Sequence, residues 1–190
     1  WRAEFFGKRA PDGKPLIFSN LINGGAHGNN NLDIQEYMVV VKPMRSLEKT
    51  VETLVTFYRD LGDALKRKTG RKELPTGYEG GYSIDFKDNH EPIAILERLI
   101  REKRLTRHFL IAMDAAANSF YRNGRYHVEG KPRASADLAG TYRNYFRRSR
   151  LLFSIEDPFA ENDFSGFAAL RKALPYAWVV GDDLTATNAF

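Results

Sequence analysis

The chain has no cysteine. Disulfides and thiolate zinc sites are therefore excluded, which suits a reducing compartment. No apolar run approaches the roughly 20 residues that a membrane-spanning helix needs. The opening Trp1-Arg2-Ala3-Glu4-Phe5-Phe6 lacks the long apolar centre of a signal peptide. Internal repeats, low-complexity segments and a long linker are also missing, so the chain reads as one domain. It does not begin with Met, and its last residues follow directly on a motif. Both ends are expected to be cuts through a longer protein.

What is present fits a soluble globular domain. The 190 residues are 43% hydrophobic and 28% charged, enough to build a sizeable core. Formal net charge is +5, and two basic runs supply much of it: Arg98 to Arg107, and Arg147-Arg148-Ser149-Arg150. Such runs read either as a nucleic-acid patch or as a solvated helix face and a basic helix end that complements the dipole. No nucleic-acid motif accompanies them, which favours the second.

Apolar runs and helical periodicities alternate along the chain. Leu16-Ile17-Phe18 opens a first strand, and Tyr37 to Val41 forms a second that stops before Pro43. Between them lies a Gly/Asn-rich loop, Asn23 to Asn31, of residues that tolerate positive φ and leave backbone groups open to ligands. Ser46 to Thr69 predicts a long helix, with Ser46 as N-cap and Gly70 as stop. Its inward face is predicted as Leu47, Val51, Leu54, Val55, Tyr58, Leu61 and Leu65. A second helix is predicted over Glu91 to Lys103, then a strand over Phe109 to Met113 and a tight hairpin at Asn123-Gly124. A helix capped by Ser135, a strand Leu151 to Ile155, a helix capped by Asp163 and a strand Ala177 to Val180 complete the reading. Apolar strands separated by helices predict an α/β fold with a parallel sheet covered on both faces.

Three consecutive strands end in a carboxylate. Asp114 follows Met113, Glu156 follows Ile155, and Asp182 follows Val180 with only Gly181 between. In a parallel barrel the C-terminal strand ends form one rim, where active sites lie. Three anions held close repel, which raises their pKa values or demands a cation. A hard divalent ion with oxygen ligands fits, magnesium best and manganese by ligand type. Each acid alone is equally well a helix cap or a turn residue. Asp157 and Asp183, beside the candidate ligands, read as residues that orient their neighbours.

These segments resemble the enolases. Ser154-Ile155-Glu156-Asp157-Pro158-Phe159 and Gly181-Asp182-Asp183-Leu184-Thr185-Ala186-Thr187-Asn188 are similar to that family's strand-end motifs. Asn20-Leu21-Ile22-Asn23-Gly24-Gly25-Ala26-His27 resembles its first barrel strand and mobile His loop, and Gln35-Glu36-Tyr37-Met38 its second strand. Ala112-Met113-Asp114-Ala115-Ala116, with Ser119-Phe120-Tyr121 after it, resembles its remaining metal-ligand motif. The matches keep the family's order over 16–190, an incomplete barrel domain, whereas 1–15 matches poorly. The fold implied is a partial TIM-type (β/α) barrel of mostly parallel strands with outer helices.

The activity implied is reversible dehydration of 2-phosphoglycerate to phosphoenolpyruvate, a glycolytic step, with Mg2+ stabilising the enolate. Carried over by position, Asp114, Glu156 and Asp182 are the metal ligands, and Glu156 and Asp182 also face the substrate. Glu79 and Glu36 are the catalytic acids beside the leaving hydroxyl, with Glu79 the proton donor. His27 closes over the substrate on its loop, and Gln35 and Glu36 bind near it. The resemblance further implies a cytoplasmic setting and a homodimer or larger assembly. Two departures stand out. Tyr78 precedes Glu79 where the family has an Asp. The family's lysine base, phosphate-binding residues and smaller N-terminal domain find no counterpart, so these 190 residues alone are expected to be inactive. The competing readings are another proton-abstracting member of the superfamily, a non-catalytic enolase-like scaffold, and, on the basic runs alone, a nucleic-acid binder.

Overall fold

A computed structural model describes residues 15–185. Residues 1–14 of the poorly matching N-terminal segment, and Ala186-Thr187-Asn188, lie outside the described residues. In chain order the elements are β1 (Ile17–Asn23), β2 (Glu36–Val41), α1 (Leu47–Thr69), α2 (Glu91–Glu102), β3 (Phe109–Asp114), β4 (Tyr121–Arg122), β5 (Arg125–Val128), β6 (Lys131–Arg133), α3 (Ser135–Arg148), β7 (Leu152–Glu156), α4 (Phe164–Ala173) and β8 (Trp178–Val180).

One five-stranded sheet, ordered β1-β2-β3-β7-β8, organises them; β4-β5-β6 form a separate small sheet. β2 pairs antiparallel with both neighbours, while β3-β7 and β7-β8 are parallel. Four strands therefore share one direction and β2 opposes them. The sheet is thus mostly parallel, as the resemblance implied, with β2 the exception that the apolar runs alone did not reveal. The connection from β1 to β2 carries no α-helix to cross the sheet, so the chain turns back beside itself.

The pleat assigns the two faces. Tyr37, Val39, Val41, Phe109, Ile111 and Met113 pack under the helices in the main core. Met38, Val40 and Ala112 form a small cluster on the other face with Leu110 and Phe153. Among the described residues helices cover only the first face, so the two covered faces expected from the apolar runs are not found there. The open arc leaves Trp178 52% exposed beside Phe153, ring centroids 4.6 Å apart.

Capping follows local chemistry. Ser46 Oγ accepts from the Lys49 N–H at 3.2 Å, and Gly70 at φ 69° ends α1 with its N–H on the Lys66 carbonyl. Asp163 accepts from the Gly166 N–H at 2.9 Å at the start of α4. Ser135 does not cap α3: Ala134 takes that place, and Asp137 reaches back to its N–H at 3.4 Å. The inward face of α1 also differs. Thr50, Phe57, Leu61 and Leu65 are buried, while Leu47, Val51 and Val55 are exposed. Phe57 sets this rotation by packing on Phe109, ring centroids 5.1 Å apart. The Asn123-Gly124 hairpin has positive φ at both residues, and Glu129-Gly130 repeats the device in a turn the sequence reading passed over.

Candidate active site on the inner rim

Register selects one row of residues across the sheet. Asn23 pairs with Glu36, Glu36 with Asp114, Asp114 with Glu156, and Glu156 with Val180. Glu36 shares a face with Met38 and Val40, and Asp114 with Leu110 and Ala112, so both lie on the inner side. Because β2 runs backwards, its first residue stands where the other strands end. Searching for acids at strand ends therefore misses Glu36, which only the resemblance supplied.

Asp114 is held from two sides. The Ala116 N–H donates to its Oδ1 at 2.8 Å, and Gln35 Nε2 donates to its Oδ2 at 3.3 Å. Asp182 lies two residues past β8 in a turn built on Asp157. The buried Asp157 carboxylate accepts the N–H groups of Asp182 at 3.1 Å, Asp183 at 2.8 Å and Leu184 at 3.5 Å. Asn118, which the sequence reading passed over, donates to Asp183 at 3.0 Å. Its only signal was its place just after the Asp114 motif.

A second group gathers beside this arc. His27 Nδ1 and Glu36 Oε1 are 3.1 Å apart. Among the described residues, His27, Glu36 and Glu79 bring their ligand atoms within 4.8 Å of one another. Asp114, Glu156 and Asp182 form a looser arc outside that spacing. Glu79 sits in a short 3-10 turn, Tyr78–Gly80, at φ 61° and ψ 10°, a region non-glycine residues rarely adopt. The segment is stitched to β1: the Asn23 N–H donates to the Tyr82 carbonyl at 3.0 Å and the Tyr82 N–H to the Leu21 carbonyl at 2.9 Å. Two glycines let it approach so closely. A Cβ at Gly77 would fall 2.1 Å from the His27 carbonyl oxygen, and one at Gly81 2.2 Å from Asn23 Oδ1.

The electrostatics divide the same way. Burial, reinforced by the charges of Glu79 and Asp114, pushes Glu36 up to about 8. At neutral pH it keeps a proton, which its hydrogen bond with Glu79 requires, since two ionised carboxylates have no donor. Burial and then the Glu156 charge push Asp114 up to about 7, although the Ala116 N–H works the other way. Glu156 is raised by burial and by Asp157, Asp182 and Asp183. Asp114, Glu156 and Asp182 offer only oxygen donors, and mutual repulsion raises the first two. That donor set fits a hard divalent cation.

A sequence profile described as Enolase, C-terminal TIM barrel domain, matches residues 13–190. The chain belongs to the enolase family. It is 36% identical to the enolase of Methanocaldococcus jannaschii over 174 residues, 92% of this chain and 41% of that protein. The enolase of Campylobacter jejuni is 37% identical over 175 residues, 42% of its length, and that of Methanosarcina barkeri 36% over 175 residues, 41% of its length. The chain thus spans about two fifths of the length of these enolases. The open five-stranded arc is part of an enolase barrel. No helix among its described residues is long and apolar enough to cross a membrane.

Proposed function

We propose that this enolase-family chain carries the metal-holding and proton-delivering parts of a site for reversible dehydration of 2-phosphoglycerate to phosphoenolpyruvate. The supporting observation is the division of one rim into two unlike acid groups. One is an oxygen-only arc with raised carboxylates. The other is a hydrogen-bonded pair, Glu36 and Glu79, that holds a proton at neutral pH.

Asp114, Glu156 and Asp182 would hold magnesium. When bound, magnesium supplies Lewis acidity that stabilises negative charge gathering on the substrate carboxylate. Glu79 relays a proton from Glu36, its protonated hydrogen-bond partner, to the departing hydroxyl, so that water leaves. His27, on a loop that reaches over Glu36, helps exclude water, and Gln35 steadies Asp114. The described rim offers no base for the substrate's C2 proton. The resemblance assigns that role to a lysine on a later strand, so turnover belongs to the whole protein. A cytoplasmic setting and a homodimer or larger assembly go with the reading.

The test is turnover of 2-phosphoglycerate with magnesium by the full-length protein, followed by the ultraviolet absorbance of phosphoenolpyruvate. Glu79→Gln is expected to lose on the order of 10²–10⁴-fold in kcat. Magnesium binding without turnover in the unaltered protein would replace this reading with a non-catalytic enolase-like role, which the neutral Tyr78 beside Glu79 favours.

A further inference from the structure

Tyr78 is 70% exposed, yet its ring is not idle. It meets the His27 ring edge-on, centroids 5.6 Å apart and planes inclined by 72°. Such edge-to-face pairs have a preferred geometry and a modest attraction. On its other side the His27 ring is held by Nδ1 on Glu36 Oε1 at 3.1 Å. His27 Nε2 makes no hydrogen bond among the described residues.

His27 and Tyr78 come from different loops. The backbones of those loops touch at Gly77 and the His27 carbonyl, so the turn bearing Tyr78 is fixed relative to the His loop. Both rings line a groove of about 560 Å³ together with Ala26, Asn29, Pro75 and Ser83. That space would let an unsupported imidazole swing outward and leave Glu36. Glu79, the next residue, has a left-handed backbone and points to the other side of the same turn, toward Glu36 and Asn20. One turn therefore places an acid on the cluster from within and an aromatic ring on it from without.

We propose that Tyr78 is a positioning residue: its ring holds His27 with Nδ1 on Glu36 and Nε2 turned toward the substrate. The inference deepens the dehydratase reading and rests on it for the ligand's identity, but not for the ring geometry. Tyr78 touches no reacting atom. It acts through His27, restricting the loop histidine before the substrate arrives and presenting a single nitrogen to it.

The experiment compares Tyr78→Ala and Tyr78→Phe in the full chain labelled with 15N-histidine. Long-range 1H–15N spectra report which His27 nitrogen carries the proton. The unaltered chain and Tyr78→Phe are expected to show one dominant tautomer, and Tyr78→Ala shifts averaged between the two nitrogens. In the full-length protein, Tyr78→Ala should lower kcat about two- to tenfold with KM within about twofold, and Tyr78→Phe should restore it. An unchanged His27 spectrum in Tyr78→Ala would overturn the proposal. So would a full loss of kcat in Tyr78→Phe, which would assign the role to the hydroxyl. If the unaltered full-length protein turns nothing over, the dehydratase reading fails, and the spectra still decide the role of Tyr78.

Discussion

The two halves of the rim are built by different means. On one side Asp114 and Glu156 are the last residues of adjacent parallel strands, fixed by the sheet ladder itself. On the other, His27 and Glu79 sit on loops, fixed by glycines that admit close backbone contact and by a strained φ at Glu79. Glu36 belongs to both, a strand residue that bonds to a loop histidine. The comparison teaches that acids at strand ends are held by the sheet ladder, whereas the loop-borne groups are held by close backbone contacts that only glycine allows.

Substitutions at the supports of each half should separate them. Asp157→Ala strips the turn of Asp182, Asp183 and Leu184 of its acceptor. It should cost about 1.5–3 kcal/mol in chemical denaturation, because three N–H groups lose the buried carboxylate they share. A loss below about 0.5 kcal/mol would mean that the turn is held by something else. Gly81→Ala should cost about 1–3 kcal/mol by forcing Asn23 and the Glu79 turn apart, while magnesium affinity stays within about twofold. A large fall in affinity would show that the two halves are not independent.

A smaller effect comes from pH. Glu36 and Asp114 bind protons more tightly folded than unfolded. Unfolding therefore releases protons between their ordinary values, near 4.5 and 3.8, and their raised values of about 8 and 7. The folded state is favoured below this window and loses stability as pH rises through it. The Tm of the metal-free chain should fall between pH 5 and pH 8. Asp114→Asn should flatten the lower part of that slope and leave the Glu36 part in place. A Tm that rises over the same range would contradict the raised values.

Much of the scaffold was legible because its signals are local. Ser46, Gly70, Asp163 and Asn123-Gly124 each act within a few residues of themselves, through caps and turns. The strand-end acids were legible for the same reason, since an apolar run shows where it stops. Less legible was whatever depends on a distant partner. The rotation of α1 is set by Phe57 meeting Phe109, 52 residues further along the chain, and no periodicity within α1 reveals it. The reversed β2 hid Glu36 from a search of strand ends. The contact of Tyr78 with His27 joins two loops whose proximity only the glycines at 77 and 81 hint at.

Calorimetric titration of the chain with magnesium tests the central claim most directly, comparing Asp114→Asn, Glu156→Gln and Asp182→Asn with Glu79→Gln. One bound ion is predicted for the unaltered chain, weakened by at least about tenfold in each of the first three variants and retained in Glu79→Gln. Unchanged affinity in the three strand-end variants, or loss in Glu79→Gln alone, would move the metal to the other half of the rim and contradict the account.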